Sequence, residues 1–246
     1  MNISKISKDI IYDKEFSQIY NQYGWDYFSL TMGKSILDYM KINNYVIKSH
    51  IDLCCGTGVL CDFFYKNKIK TKGIDISNYM IEIAKSKNKN ISFYADDVLR
   101  YYDQEKYDLV TMTCDAVNHL INNDDLDKLF SNINSILNND GYFIFDVYDN
   151  DKIKLNFDIV SKRDNNIDVH YFITNQNDSL INTNVKIKKD NKLIYEKDVI
   201  EKLYDVEYIK KLLLKYNFTI IQIKNKILNE NYIFKDKLYV ICKKNK

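Results

Sequence analysis

Residues 51–58 read I-D-L-C-C-G-T-G, an apolar run that ends on an acid, two adjacent thiols and Gly-Thr-Gly. Three chemistries compete for such an ending: a metal or redox site, a tight structural turn, or a loop that lets a ligand touch the backbone. Glycine permits that approach, and a helix following the loop offers unpaired N–H groups. The metal reading is disfavoured by spacing. Cys54-Cys55 with Cys61 contains no C-x-x-C pair, and His50, His119 and His170 are scattered. By itself the fragment leaves turn and ligand loop open.

Working outward, Val46–Cys54 reads as a strand and VLCDFFYKNK after Gly58 as a helix stopping near Asn67. The strand TKGIDI follows, then a helix capped by Ser77 with Met80, Ile81, Ile83 and Ala84 facing inward. ISFYA (91–95), YDLVTMTC (107–114) and GYFIFDVY (141–148) are further strands, with the helix LDKLFSNINSIL (126–137) before the last of them. Alternation at this spacing predicts an α/β fold, a doubly wound, mostly parallel sheet with helices on both faces. After Asp149 the period changes to two. FDIVS, IDVHYFI, LINTNVKIK and KLIYEKDVIE predict an antiparallel sheet with one wet face, its turns at Asn175–Asp178 and Asp190-Asn191. The helix VEYIKKLLLKY and the strands FTIIQIKN and KLYVICK then complete a main sheet of seven strands. The predicted organisation is an N-terminal helical segment (1–45), a main domain (46–149 and 205–246) and an antiparallel insertion (150–204). The N-terminal segment reads as two helices, IYDKEFSQIYNQYG and MGKSILDYMKIN, with Tyr20, Tyr23, Trp25, Tyr27 and Phe28 between them. Most of these aromatics are expected to pack on the core.

Of 246 residues, 46% are hydrophobic and 28% charged, with a net charge of +2, which fits a folded globular chain and gives no dedicated grip on nucleic acid. MNISKISKDIIYD lacks the apolar core of a secretory signal and no later stretch is long enough to span a bilayer, so a cytoplasmic protein without a membrane partner is expected. The odd number of cysteines then points to free thiols. Proline is absent, leaving turns to Asn, Asp and Gly.

Acids decide between turn and ligand loop. Asp75 ends the second predicted strand about twenty residues after Asp52, the distance at which a carboxylate meets ribose hydroxyls. Asp96 and Asp97 follow the third strand, where a carboxylate can accept a hydrogen bond from an adenine amino group. Such acids repel phosphate, and no Walker lysine follows the glycines, so an adenosyl group is favoured over a nucleoside triphosphate.

D-L-C-C-G-T-G, G-I-D-I-S-x-x-M (73–80), A-D-D-V (95–98), Y-D-L-V-T-M-T-C-D-A-V-N-H-L (107–120) and G-Y-F-I-F-D-V-Y resemble, in order, the motifs of class I S-adenosylmethionine-dependent methyltransferases. The likeness covers Tyr12 to Tyr148, and the closing helix and strands fit the same Rossmann-like fold. Cys54 stands where that family usually has glycine. The resemblance implies S-adenosylmethionine as cofactor and S-adenosylhomocysteine as product. It implies that Asp52, Cys54, Gly56 and Gly58 surround the methionine part, that Asp75 holds the ribose and that Ile76 packs on adenine. Asp97 is preferred to Asp96 for the adenine amino group because it directly precedes the apolar Val98; both acids stay open. Met80 and Val98, in the same motifs, are implied as further cofactor-binding residues. Thr113, Cys114 and Asp115 would face the methionine moiety and the reacting methyl.

Within that family, N-H-L at 118–120 resembles amino-sugar N,N-dimethyltransferases, which implies His119 beside an accepting amine. I-Y-N around Tyr20 resembles a helix whose tyrosine approaches the sulfonium. Imidazole exchanges protons near neutrality, so His119 is a candidate base, and Tyr20, Tyr23 and Trp25 are candidates to shelter the sulfonium by cation–π contact. The implied reaction is in-line methyl transfer to a small-molecule acceptor, most readily an amine nitrogen, by a monomer or homodimer without a metal. The N-terminal helices would form a lid and the antiparallel insertion would roof the acceptor. Small-molecule O-methylation, RNA methylation and non-catalytic cofactor binding are the alternatives. The RNA reading lacks the N/D-P-P-Y/F motif, and Asp115 with Asp146 alone makes no obvious divalent-ion site.

Overall fold

The computed structural model describes residues 12–22, 24–122, 124–156, 158–163, 166–177, 179–227 and 236–246. Tyr23 lies outside them. The main sheet contains β1 (Ser49–Leu53), β2 (Lys70–Asp75), β3 (Ser92–Ala95), β4 (Tyr107–Met112), β5 (Leu137–Tyr148), β10 (Phe218–Lys224) and β11 (Lys237–Lys244), in the order β10-β11-β5-β4-β1-β2-β3. β11 runs antiparallel to both neighbours; the other pairings are parallel. A second sheet, β6 (Asp158–Arg163), β7 (Ile167–Asn175), β8 (Leu180–Lys189) and β9 (Lys192–Lys202), is an antiparallel meander. Strand order reverses between β1 and β4, so a crevice opens beyond their carboxyl ends.

Period-two alternation divides the core between the two faces of the main sheet. On β5, Phe143, Phe145 and Val147 pack with α5 (Asp125–Ile136) and α6 (Val206–Lys215) through Leu129, Phe130, Ile133 and Leu213. Tyr142 and Ile144 face the other way, onto α2 (Asp26–Ile42) and α3 (Val59–Lys66) through Met32, Ile36, Leu60 and Phe64. Each fully buried side chain of this size contributes about 1.5–3 kcal/mol of transfer free energy. Ser77 caps α4 (Asn78–Lys87) by accepting a hydrogen bond from the Met80 N–H, as its position before the apolar face predicts.

Several boundaries differ from the sequence reading, chiefly in the N-terminal segment. α1 is only Lys14–Ile19, while α2 starts at Asp26 rather than Met32, which makes Tyr27 and Phe28 helical. Gly24, at φ 79°, makes the turn between them, so the aromatic stretch is split at its glycine. The Asn138–Gly141 stretch, whose Asn, Asp and Gly residues suit a turn, is a bulge within β5: pairing passes from Tyr107↔Leu137 to Leu109↔Tyr142.

The loop after β1 carries positive φ at Cys54 (60°), Gly56 (52°) and Gly58 (78°). Cys54 thus adopts the backbone region that glycine enters freely. Gly58 is constrained twice, because a Cβ there would also stand 2.7 Å from the Phe93 ring and 3.1 Å from Ala84 Cβ. Gly58→Ala is expected to lose about 2–4 kcal/mol of stability by combining left-handed strain with overpacking. Denaturant unfolding at fixed pH checks this; an unchanged midpoint would refute it.

Candidate functional site

The crevice at the strand reversal is a cavity whose floor is the loop Cys54–Thr57. Asp75 anchors that floor. Its Oδ2 accepts from Gly56 N–H at 2.8 Å and its Oδ1 from Ser77 N–H at 2.8 Å, joining the ends of β1 and β2. Asp26, Asp75, Asp96 and Asp97 line the cavity, and among the described residues no lysine or arginine does. Such a lining accepts hydrogen bonds and favours a ligand with hydroxyl or amino donors and positive charge. Asp97 turns the chain by accepting from Leu99 N–H at 3.0 Å, beside the buried Val98.

A second cavity of about 480 Å³ adjoins the first, between the carboxyl edge of the main sheet, the N-terminal helices and the inner face of the antiparallel sheet. Tyr12, Tyr20, Cys114 and His119 line both. Tyr12 hydroxyl lies 3.3 Å from His119 Nε2, while His119 Nδ1 is buried without a hydrogen-bond partner. Burial raises the phenol of Tyr12 and that of Tyr20, keeping both protonated.

At the back of this cavity Asp146, on β5, is fully buried and accepts from the backbone N–H of Cys114 at 2.7 Å and of Asp115 at 2.8 Å. Lys237 on β11 stands 2.6 Å from Asp115 and 3.7 Å from Asp146. Burial pushes the Asp146 carboxyl up to about 6, despite Lys237. Burial opposes ionisation of Asp115 too, but there Lys237 and His119 outweigh it and hold the carboxyl below its ordinary value. Tyr148 hydroxyl is within 2.8 Å of Asp115 Oδ2 and 3.2 Å of Glu201 Oε1, and Thr183 hydroxyl donates to Glu201 Oε2 at 2.6 Å. Burial first, then repulsion by Asp115, raises the Glu201 carboxyl. Asp115, His119 and Glu201 each offer a ligand atom, all within 4.8 Å of one another. That set is one a metal ion can use, a convergence no motif in the sequence announced; Lys237 already brings one positive charge to it.

The predicted residues divide into four groups. Cys54, Gly56, Asp75, Ile76, Asp96 and Asp97 line the first cavity, as do Val98 and Thr113, and Tyr20, Cys114 and His119 line both cavities. Trp25 and Asp115 belong to the second cavity. Asp52, Gly58 and Met80 line neither. Met80 is fully buried and packs against Phe16 of α1. Asp52 lies beneath the loop in a closed network: Thr111 hydroxyl donates to it at 2.6 Å, His50 Nε2 is 2.8 Å from that hydroxyl, and His50 Nδ1 is 2.7 Å from Thr71. Since the Thr111 proton goes to Asp52, His50 Nε2 must be the donor to Thr111 and Nδ1 the acceptor from Thr71. Burial lowers His50 to about 3, so its imidazole is neutral. Sequence reading missed Tyr12, Asp26, Tyr148, Glu201 and Lys237. Glu201 was legible only as an acid on a β9 face that is otherwise turned inward.

A seven-stranded sheet with one reversed strand, helices on both faces and a loop of this kind after β1 is the class I methyltransferase fold. The chain belongs to the methyltransferase domain family, whose model matches residues 34–223. A protein of Geobacillus sp. (strain WCH70) named as a methyltransferase is 31% identical over 105 residues, 41% of this chain and 42% of its own length. The matched stretch spans about half the length of the curated relatives. An S-adenosylmethionine-dependent methyltransferase from Clostridium acetobutylicum superposes with a TM-score of 0.76 at 22% identity, covering 92% of this chain and 99% of that one. An amino pentose methyltransferase from Micromonospora echinaspora, solved with S-adenosylmethionine bound, gives 0.75 at 11% identity, covering 96% and 99%. No helix among the described residues is long and apolar enough to cross a membrane.

Burial pushes the Asp52 carboxyl up to about 7. The folded chain therefore holds this proton more tightly than the unfolded chain. The resulting stabilisation is complete below the ordinary carboxylate range and is lost as pH rises through 7. Asp52→Asn keeps an acceptor for Thr111 and has no proton to lose. Its melting temperature relative to the parent should rise between pH 5 and pH 8, and calorimetry giving a flat difference would refute the assignment.

Proposed function

We propose that the protein transfers a methyl group from S-adenosylmethionine to the nitrogen of a small-molecule amine. The observation that carries this reading is the shared wall: two cavities meet at Tyr12, Tyr20, Cys114 and His119, as donor and acceptor compartments must if a methyl is to pass between them. The donor set of the first cavity fits the cofactor, with carboxylates for ribose hydroxyls and adenine amine, an apolar Ile76 for the ring and, among the described residues, no cation to oppose a sulfonium. When bound, the cofactor supplies a methyl on positively charged sulfur, which leaves as a neutral thioether as the acceptor nitrogen bonds to the methyl carbon.

The chain's own residues then have four tasks. Asp75 holds the ribose and keeps Gly56 in place. Tyr20 and Tyr12 close the junction and exclude water; their rings pack edge to face at 6.4 Å. His119 receives the proton that an ammonium must lose before its lone pair can attack, or that the methylated nitrogen releases afterwards. The remainder of the rate comes from holding nitrogen, methyl and sulfur in line. An amine is favoured over a hydroxyl because the carboxyl groups of Asp115, Asp146 and Glu201, acceptors for N–H donors, converge near Lys237 at the inner end of the second cavity. The insertion would serve as its roof and the N-terminal helices as its lid.

Isothermal calorimetry with S-adenosylmethionine, followed by a labelled-methyl screen of amines and phenols, tests the proposal. Asp75→Ala should weaken cofactor binding by tenfold or more, the scale of losing a hydrogen-bonded charge, about 1.5–3 kcal/mol. Unchanged affinity in a variant that still melts cooperatively would remove the cofactor assignment.

A further inference from the structure

We propose, resting on the reading above, that the acceptor is a monoammonium compound with an aromatic or alicyclic body and no phosphate, and that Asp115, Glu201 and His119 form the seat for its nitrogen. Hydrogen bonding around Asp115, Glu201 and His119 is incomplete. Tyr148 has one hydroxyl proton but stands within reach of both Asp115 Oδ2 and Glu201 Oε1, so at any moment one of the two goes without it. His119 Nδ1 is buried and unpartnered, an acceptor in the tautomer whose Nε2 donates to the Tyr12 hydroxyl. Buried acceptors left in this condition cost free energy, which a ligand carrying N–H groups would recover. A primary ammonium has three such groups, and the three side chains offer atoms within 4.8 Å of one another.

Charge leads to the same ligand. Asp115, Asp146 and Glu201 face one lysine, Lys237, which is at 2.6 Å from Asp115. An ammonium placed among these three carboxyl groups would find acceptors for its N–H groups. The walls describe the rest of the molecule. Phe16, Trp25, Tyr171, Ile173 and Tyr195 line the cavity, whose volume of about 480 Å³ is in the usual range for a small organic ligand. Rings beside carboxylates suit an organic cation better than a hydrated metal ion, which cannot use an apolar wall. The two lysines lining the cavity are both occupied, Lys197 by Asp13 at 2.8 Å and Lys237 by Asp115, so among the described residues no cation is left for a diphosphate.

His119 lines both cavities, so a nitrogen seated on it is already at the junction. The bound ammonium gives one proton to the seat and becomes a neutral amine. Its lone pair forms the N–C bond as the C–S bond breaks, and the electron pair of that bond stays on sulfur.

The test uses the full chain saturated with S-adenosylhomocysteine. Calorimetry compares 2-phenylethylamine with its neutral counterpart 2-phenylethanol, with inorganic pyrophosphate and with magnesium chloride. The amine should bind at least tenfold more tightly than the alcohol, since rejecting a ligand that leaves a buried charge unpaired is worth well over 1.4 kcal/mol. Glu201→Gln, nearly isosteric, should reduce that ratio several-fold while leaving S-adenosylhomocysteine affinity unchanged, a split that a general loss of structure would not produce. Equal binding of amine and alcohol, binding of pyrophosphate in this cavity, or a requirement for magnesium would each overturn the proposal. If S-adenosylhomocysteine itself fails to bind, the methyltransferase reading falls first; if it binds and the amine preference is absent, only the acceptor assignment falls.

Discussion

A carboxylate with no access to water, Asp146, organises the point where the two cavities meet. It receives the N–H groups of Cys114 and Asp115, both in the left-handed region with φ of 67° and 50°. Such a conformation costs a non-glycine residue about 1–2 kcal/mol, and here two occur in succession. Two charge-assisted hydrogen bonds offset that strain, and Lys237 supplies the countercharge that makes a buried anion tolerable. The consequence is directional. The chain leaving β4 turns at once into the 3₁₀ turn Ala116–His119, which brings His119 back over the crevice instead of continuing away from it.

The junction is built from parts remote in sequence. Asp13 caps α1 by accepting from Phe16 N–H, and it also pairs with Lys197 on β9, so one side chain starts a helix and fastens it to the antiparallel sheet. Ser77 caps α4 and donates its hydroxyl to the carbonyl of Tyr12, fastening the same segment to the main sheet. Phe16 packs on Trp25 at 5.0 Å and on Tyr195 at 5.4 Å between ring centres, closing the space between these attachments. A six-residue helix would not hold its place by propensity; packing and these ties hold it.

Electrostatics link the two compartments to the proposed chemistry. The first cavity is lined by acids, and the second has more carboxylate than ammonium at its inner end. In methyl transfer from sulfonium to amine a positive charge moves from sulfur to nitrogen without leaving the site. An environment that stabilises positive charge on both sides of the junction therefore need not oppose the transfer.

The strands and helices of the main sheet, the antiparallel meander and the loop at 54–58 were legible because each rests on local physics: side-chain period, a serine able to cap, glycines where the backbone turns left-handed. The acids Asp75 and Asp97 at strand ends were legible for the same reason, since a strand's end projects its residues to the sheet's edge. Asp52 and Met80 show the limit of that reasoning. Position on an element does not reveal depth, and Asp52 turned out to satisfy a buried histidine–threonine network beneath the loop. Tertiary structure alone brought Asp115, Glu201 and Lys237 together, from the end of β4, from β9 and from β11. Pairwise encounters of that kind depend on how one sheet lies over another, and hydrophobic periodicity, which specifies only the face each residue takes, carries no record of that angle.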